Sequence, residues 1–551
     1  MFIMAKAKKK NVKYIFVAGG VMSGVGKGIA ASSIAKILQS RGFNVTAMKI
    51  DPYVNVDAGT MNPVEHGEVF VLADGMECDQ DLGNYERFLN RDLSRLNYMT
   101  TGSVYLSVIA KERNLEYGGK CVSVVPEIPI AVLDKMSAAA KHDKADFVIV
   151  EIGGTVGEYQ NILFLEAYRI LKFRHPEDAL FVLVSYLPLQ KDGELKSKPT
   201  QYAAQAVNSA GIQPDFILAR ASVAIDKKRK EKIAFGCSVR EQDVISAPDV
   251  NSIYEVPLNF EKDGLGDSIL EKFKMPARKH DMKDWRAFVA KINKAQTAVK
   301  IGIVGKYFTA GEYILADAYI SVIEAVRQSA YDAGLKPEID WLDAEKYENN
   351  PEALKELSKY QGIIVPGGFG NRGIEGKINV IRHCRENKIP YLGLCYGMQL
   401  MVVEYARNVL GLKDANTTEV NSKTKYPVID ILPEQKANIA SKNYGATMRL
   451  GNYPAVLQKG TVAFEAYGTS KIVERHRHRY EVNPEFIEKM EKGGLVFSGA
   501  SPDRRLMEIA ELPDDKHPFF VGTQSHPELL SRPLHPHPLF KAFIKASSQQ
   551  K

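Results

Sequence analysis

The sequence predicts a two-domain α/β protein, each half built around a largely parallel sheet, and three observations predict it. Short apolar runs alternate with helical patterns in both halves. A glycine-rich phosphate-loop pattern follows the first run, and a cysteine elbow pattern follows a run in the second half. At 551 residues the chain is too long for one hydrophobic core.

In the first half, Tyr14–Ala18, Val45–Ile50, Phe147–Val150, Phe181–Leu187, Phe216–Ala219 and Val244–Ser246 read as buried strands. Ile29, Ile34, Ile37 and Leu38 recur near helical spacing after the glycine-rich turn. The pattern breaks at Met275-Pro-Ala-Arg-Lys-His280, after which Asp281 or Asp284 is placed to cap a short helix. Trp285, Phe288, Val289 and Ile292 give that helix one apolar face, suited to packing between domains. A second series opens with Val299–Val304 and continues through Gly362–Val365, Tyr391–Leu394 and Phe519–Thr523. These readings set the domains at 1–275 and 299–547, with a linker helix over 276–298.

Hydrophobic residues make up 45% and charged residues 25%, which excludes a disordered chain. The net charge of +7 suits anionic substrates, but no basic–aromatic interleaving points to nucleic acid. The Lys227-Lys-Arg-Lys230 run reads as a solvated helix face. Five scattered cysteines with no C-x-x-C pair argue for a reducing, cytoplasmic setting and against a disulfide framework or zinc site. Lys6, Lys8, Lys9 and Lys10 before the apolar run Tyr14–Met22 imitate a signal peptide. Gly19-Gly20 breaks that run, which reads instead as the first strand. No apolar stretch of roughly 18 residues exists, so no transmembrane helix is expected.

Gly393-Leu-Cys395-Tyr-Gly397 lies between a strand and the apolar helical run Met398 to Tyr405. A thiol exposed at such a turn, on a helix N-terminus and near an imidazole, is a nucleophile. Downstream, Gln524-Ser-His526-Pro-Glu528 follows another strand, so His526 can shuttle the proton while Glu528 orients its ring. Upstream, Val365-Pro-Gly-Gly-Phe-Gly370 ends a strand with glycines whose N–H groups can face an oxyanion. Separately, each piece has an ordinary explanation: a buried filler cysteine, a common tripeptide, a turn. The ordered set resembles the class I (triad) glutamine amidotransferases. The resemblance implies that Gly368, Tyr396, Gly397, Met398, Gln399, Glu419 and Arg479 surround a glutamine. His476 and His478 lie in Arg475-His-Arg-His-Arg-Tyr480, where flanking arginines make a cation site implausible.

In the first half, Gly20-Val-Met-Ser-Gly-Val-Gly-Lys-Gly28 lies between strand and helix, where N–H groups cradle phosphates and Lys27 neutralises them. It departs from a strict Walker A motif, since one extra residue separates the glycines and Gly28 replaces the magnesium-reaching hydroxyl. Carboxylates must then hold a metal. Asp81, in Cys78-Asp-Gln-Asp-Leu-Gly83, and Glu151, at the end of a strand, are the candidates; solvated loop acids are the alternative.

Lys49-Ile-Asp-Pro-Tyr53, Asp57-Ala-Gly-Thr-Met61, Glu65-His-Gly-Glu-Val-Phe70, Glu151-Ile-Gly-Gly-Thr-Val-Gly157 and Lys198-Pro-Thr-Gln201, together with the glycine loop, resemble CTP synthase from about residue 13 to 545. The fold implied is a P-loop-like synthetase domain joined to a class I glutamine amidotransferase domain. The resemblance implies ATP on Gly24, Val25, Gly26, Lys27, Gly28, Ile29, Asp81, Asp249 and Val250, with Mg²⁺ on Asp81 and Glu151. It implies UTP or CTP on Ser23, Glu158, Tyr159, Gln160, Lys196, Ser197, Lys198, Pro199, Thr200, Gln201 and Lys232. It also implies an ammonia passage near Pro63, His66 and Val69, CTP feedback, GTP activation and a homotetramer, with no membrane or nucleic-acid partner. Two segments depart from the family: Glu158-Tyr159-Gln160 stands where many relatives have Asp-Ile-Glu, and 308–316 is longer than its counterpart. Two rivals remain at this stage, a corrinoid amide synthase and a nucleotide-sensing filament protein that has lost catalysis. The Lys-Pro-Thr-Gln and Glu-His-Gly-Glu-Val-Phe segments argue against the first, and the intact triad with Lys27 against the second.

Overall fold

The apolar runs become strands that continue, in most cases, a residue or more beyond the sequence pattern. Through residue 248 these are β1 (Lys13–Gly20), β2 (Val45–Asp51), β3 (Val69–Val71), β4 (Glu77–Asp79), β5 (Tyr98–Thr100), β6 (Phe147–Thr155), β7 (Ala179–Tyr186), β8 (Phe216–Ala221) and β9 (Val244–Pro248). A computed structural model describes residues 11–20, 22–306, 309–310, 313–314, 316–368, 370–432, 435 and 445–550. Lys6, Lys8, Lys9, Lys10, Val21 and Phe369, with residues 308, 311, 312 and 315 of the long segment, lie outside the described residues.

Seven strands form one sheet in the order β5-β2-β6-β1-β7-β8-β9, every neighbouring pair parallel. Helices cover both faces, so a strand such as β7 is buried at all but its last position and reads as a nearly continuous apolar run rather than an alternation. Phe16, Met48, Val150, Phe181 and Ile217 belong to one core built on this sheet. Strands β3 and β4 stand apart as an antiparallel pair with Val71 opposite Glu77.

The remaining strands are β10 (Ala298–Gly305), β11 (Thr309–Ala310), β12 (Tyr313–Ile314), β13 (Lys336–Asp343), β14 (Gly362–Val365), β15 (Tyr391–Leu394), β16 (Ala415–Thr417), β17 (Tyr426–Ile431), β18 (Arg449–Leu457), β19 (Lys471–His478), β20 (Tyr480–Val482), β21 (Val496–Ala500), β22 (Met507–Glu511) and β23 (Phe520–Thr523). Nine of these join in the order β13-β10-β14-β15-β23-β22-β21-β18-β19. The first five are mutually parallel and the rest antiparallel. Alternate side chains of β15 feed the two core clusters of this sheet, Tyr391 into one and Leu392 and Leu394 into the other.

The chain divides into two compact units. One comprises the described residues through Asp57 together with Asn84–Val289; the other comprises Ala58–Gly83 and everything from Ala290. Segment 58–83, including β3 and β4, thus interrupts the first unit in sequence but is part of the second. The helix Lys283–Lys294 opens with the Asp281 carboxylate accepting the Lys283 N–H at 3.0 Å. Its apolar face packs on the first unit: Trp285 stacks near Phe88 and Tyr254, and its Nε1 donates to the Tyr254 carbonyl at 2.8 Å. The Lys227–Lys230 run starts a helix as expected, but only part of it is solvated. Arg229 pairs with Asp226, and Lys230 reaches Asp263 at 2.6 Å.

The helix Ile374–Asn387 packs so closely on the helix Ala344–Asn349 that a Cβ on Gly376 would fall 1.8 Å from the Ala344 carbonyl oxygen. Gly376→Ala is therefore expected to destabilise the second unit by about 1–3 kcal/mol, the usual cost of overpacking. Scanning calorimetry should show its transition lowered by a few degrees.

Candidate active site

Three neighbouring parallel strands, β14, β15 and β23, bring the three sequence motifs of the second half to one edge. Cys395 leaves β15 and caps the helix Tyr396–Asn408 with φ 50° and ψ −98°. A non-glycine residue there is strained, and its surroundings hold it in place: its N–H donates to Thr523 O at 2.7 Å, and its carbonyl accepts the Gln399 N–H at 3.1 Å. The flanking glycines serve close approach. A Cβ on Gly397 would lie 2.1 Å from Val365 O, and one on Gly393 would lie 2.6 Å from Tyr391 Oη. The positive φ that turns the chain belongs to the cysteine itself.

His526 follows β23, and its N–H donates to Arg475 O at 2.7 Å. Its Nδ1 lies 2.6 Å from Glu528 Oε1, which leaves Nε2, buried and with no hydrogen-bond partner, as the nitrogen for a reacting group. Burial alone would lower the imidazole pKa, but the Glu528 carboxylate and the Cys395 sulfur override it and raise the value to about 10. Gly367 sits over this pair, since a Cβ there would be 3.7 Å from both Cys395 Cβ and His526 Nε2. It would also lie 2.9 Å from His526 Cε1, so a larger residue would force the ring to shift.

Cys395, His526 and Glu528 line a cavity of about 440 Å³ with Gly367, Gly368, Arg477 and Arg479. Its lining also includes Thr60, Met61, Pro63 and Val69. Two of the three residues expected along an ammonia passage, Pro63 and Val69, are therefore wall residues, while His66 lies beside Asp79 with Nδ1 3.7 Å from Oδ2. Of the glutamine candidates, Gly368 and Arg479 face this cavity. Tyr396 and Glu419 meet at Gly370, the phenol donating to its carbonyl at 3.4 Å and the carboxylate accepting its N–H at 2.9 Å. Gln399 Nε2 donates to Tyr480 O at 3.0 Å, and Met398 is buried against Gly522.

Sequence reading missed Arg477 and Gln524, whose amide nitrogen donates to Cys395 Sγ at 3.6 Å. The signal for Gln524 was its place in the His526 motif; Arg477 gave none. It also missed Lys306 and Lys377, which flank the Tyr396 ring at 5.9 and 5.7 Å. Burial lowers their pKa values to about 8 and about 7.

In the first unit the nucleotide candidates lie along the carboxyl edge of the parallel sheet, where ligands bind in such folds. The glycine loop after β1 has Gly24 at φ 73° and Gly26 at φ 86°, and Gly26 starts the helix Lys27–Ser40. Val25 and Gly28 are buried in it while Ser23 is exposed, and the Lys27 stem lies over Gly19. Ile29 and Gly26 line a small cleft with Arg220 and Pro248, and Arg220 holds Asp249, beside Val250, at 2.7 Å. Glu158, Tyr159 and Gln160 follow β6 and are exposed, Tyr159 at 95%. Lys196 pairs with Glu194, Gln201 Nε2 donates to Ser197 Oγ at 3.3 Å, and Thr200 accepts from Ser185 Oγ at 3.0 Å. Lys198 and Pro199 open the helix Lys198–Ser209, and Lys232 is exposed on the helix Lys227–Cys237.

Glu151 is buried in β6 opposite Lys49, whose Nζ donates to Oε1 at 2.8 Å, while the Tyr85 hydroxyl donates to Oε2. Asp81 starts the helix Asp81–Leu89, its N–H bonded to Asp79 Oδ1 at 2.8 Å. The buried His476 and His478 contact each other and Arg449, at 3.0, 3.3 and 3.5 Å. All five cysteines are free, and among the described residues no helix is long and apolar enough to cross a membrane.

Known proteins resemble the chain along both halves. The model for the CTP synthase N-terminus matches residues 13–275, and that for class-I glutamine amidotransferase matches 314–546. The CTP synthase of Methanocaldococcus jannaschii is 49% identical over 549 residues, covering 98% of this chain and 99% of that protein. The Bacillus subtilis CTP synthase is 48% identical over 538 residues, covering 97% and 98%. Among solved structures, the Trypanosoma brucei CTPS glutaminase domain with bound acivicin is 35% identical, covers 46% of this chain and 95% of that one, and has a TM-score of 0.42. Relatives near half-identical along almost the entire length show that this chain belongs to the CTP synthase family.

Proposed function

We propose that this chain converts UTP to CTP in an ATP-driven reaction, using ammonia released from glutamine. The observation that carries this reading is the pairing in one chain of a cysteine–histidine–glutamate set on a cavity with a phosphate-type glycine loop at a sheet edge. The family names of its relatives agree with it. We assign the synthetase to 1–275, the linker helix to 276–298 and the amidase to 299–547, with 58–83 lent by the first to the compact unit of the second.

The 4-oxygen of uracil is a poor leaving group, so ATP phosphorylates it and ammonia then displaces phosphate at C4. N–H groups of the 23–29 loop and the Lys27 ammonium hold and neutralise the phosphates, which is most of what phosphoryl transfer needs. Asp81 and Glu151 offer hard carboxylate oxygens. Glu151 accepts from Lys49 Nζ and from the Tyr85 hydroxyl, and hard carboxylate oxygens of this kind suit Mg²⁺. Bound there, the ion supplies further charge neutralisation. Lys196–Gln201, Lys232 and Ser23 take the UTP triphosphate, Asp249 and Val250 the adenine, and Glu158–Gln160 the CTP base.

In the amidase half the Cys395 sulfur attacks the glutamine amide carbon. His526 takes the thiol proton and returns it to the departing ammonia, and water hydrolyses the thioester to glutamate. The Gly367 and Gly368 N–H groups receive the oxyanion, each such donor being worth about 2.7–4 kcal/mol. Glu419 and Arg479 complement the α-ammonium and α-carboxylate of glutamine, with Tyr396, Gly397, Met398 and Gln399 completing the pocket. Pro63, His66 and Val69 shield the released ammonia. CTP feedback, GTP activation, a homotetramer and a cytoplasmic setting, the last in keeping with five free cysteines, belong to the same proposal.

Cys395→Ala should abolish glutamine-dependent CTP formation while ammonium-driven formation persists; Lys27→Ala should lose both. Loss of both activities in a folded Cys395→Ala protein would refute the division of labour. Tyr159→Ala should weaken CTP inhibition several-fold, about 1 kcal/mol, with the UTP KM unmoved; superimposable inhibition curves would remove Tyr159 from the product site.

The raised His526 pKa has a stability consequence. The folded value, about 10, exceeds the ordinary 6.5, so its contribution is complete below pH 6.5 and fades as pH rises to about 10. Glu528→Gln removes a main cause of the rise. The melting-temperature gap between parent and Glu528→Gln should be widest near pH 6.5 and close toward pH 10 in calorimetric scans.

A further inference from the structure

The carbonyls that hold the reacting pair come from one strand, β19. Arg475 O accepts the His526 N–H at 2.7 Å, and Arg477 O lies 3.8 Å from Cys395 Sγ as the acceptor for its thiol. These two residues are i and i+2 in a strand, so their side chains leave on the same face. Both side chains end on the β3–β4 hairpin of segment 58–83. Arg475 Nη1 donates to Val71 O at 3.1 Å, with its guanidinium 5.4 Å from the Phe70 ring centre. Arg477 Nε donates to Glu77 Oε1 at 2.9 Å. Val71 and Glu77 face each other across the hairpin.

The hairpin is fixed at further points. On β18 of the same sheet, Asn452 N–H donates to Ala73 O at 2.9 Å; just before β3, Glu68 accepts the N–H of Ser321, on the helix Ile320–Asp332, at 3.2 Å. Glu77 is buried at 2% exposure, and its second oxygen, Oε2, has no hydrogen-bond partner. Its charge is therefore compensated mainly through Arg477, and breaking a buried pair of this kind leaves an uncompensated ion that the structure must move to relieve.

We propose that Glu77 and Arg477 are positioning residues for glutamine hydrolysis: their buried pair clamps β19 so that its carbonyls hold Cys395 and His526 in register. The proposal rests on the reading of Cys395, His526 and Glu528 as the hydrolytic set. Neither Glu77 nor the Arg477 guanidinium takes part in bond making; they act through the backbone of β19. Because the hairpin strand β4 runs on to Asp81, the clamp also makes the placement of the triad depend on a segment that carries a synthetase candidate. This gives the contribution of 58–83 to the second unit a chemical purpose beyond lining the cavity.

The test uses the full-length enzyme with ATP, Mg²⁺, UTP and either glutamine or ammonium chloride. Glu77→Gln keeps size and one hydrogen bond but removes the charge. It should lower kcat for glutamate release about tenfold, leave the glutamine KM within about twofold, and leave ammonium-driven CTP formation within about twofold, tenfold being about 1.4 kcal/mol of barrier. Arg477→Met should show the same loss, and the double variant should lose no more than either single one, as expected for residues acting as a unit. Unchanged glutamate release in Glu77→Gln, a parallel fall in ammonium-driven synthesis, or losses that multiply in the double variant would each overturn the clamp. Cys395→Ala separates the two readings. If it still releases glutamate at the parent rate, the hydrolytic set falls and the clamp with it; if it is inactive while Glu77→Gln behaves as parent, only the clamp falls.

Discussion

The strained backbone of Cys395 is the constraint on which the second unit turns. A side chain at φ 50° and ψ −98° is held only because its N–H is committed to Thr523 O on β23 and its carbonyl to the first turn of the following helix. That commitment requires β15 and β23 to be parallel neighbours in register, Leu394 opposite Thr523, and the same pairing delivers His526 to the thiol. It also requires Gly397 to press against Val365 O of β14, so the third motif is fixed by the same contact. One turn thus specifies the order of three strands.

Much of this was legible in the sequence because it is local. Parallel strands covered on both faces announce themselves as apolar runs, and β14 and β15 begin and end where those runs do. The elbow, the glycine loop and the His526 motif each join a strand to a turn within a few residues, so residue type and spacing carry them. What escaped the sequence depends on pairings between distant segments. The Glu77–Arg477 pair joins residues 400 positions apart, and no periodicity in either segment encodes it. The assignment of 58–83 to the second unit has the same character, because β3 and β4 are too short to show a pattern. The helix face of Trp285 and Phe288 was visible as a face, but its partners Phe88 and Tyr254 were not. The oxyanion-facing glycines were visible as a local motif, but not that a Cβ on Gly367 would come within 2.9 Å of His526 Cε1.

Histidine chemistry in the second unit shows how neighbours override residue type. His476, His478 and His526 are all buried, and burial alone pushes each imidazole toward neutrality. For His476 and His478 the next largest influence is the Arg449 guanidinium, which pushes the same way, so both are held well below the ordinary value. For His526 the adjoining charges are Glu528 and the Cys395 sulfur, and they reverse the sign. Proximity among the three adds to the contrast, since a charged His526 further disfavours protonation of the other two.

That contrast separates a cluster of two histidines and two glutamates around one arginine from the single histidine beside Cys395. Arg449 binds Glu508 at 2.7 Å and lies 3.4 Å from Glu481, and both carboxylates are shifted upward by burial. A cation drawn to His476 and His478 would have to displace a guanidinium already bonded on both sides, so the pair stays neutral, its two rings hydrogen-bonded to each other. His526 differs as the ring whose Nδ1 is tied to a carboxylate and whose Nε2 is left open. The selectivity lies in where Arg449 and Glu528 stand relative to otherwise similar imidazoles, and both positions follow from strand register: Arg449 is opposite His478 on β18–β19, and Glu528 lies just past the end of β23.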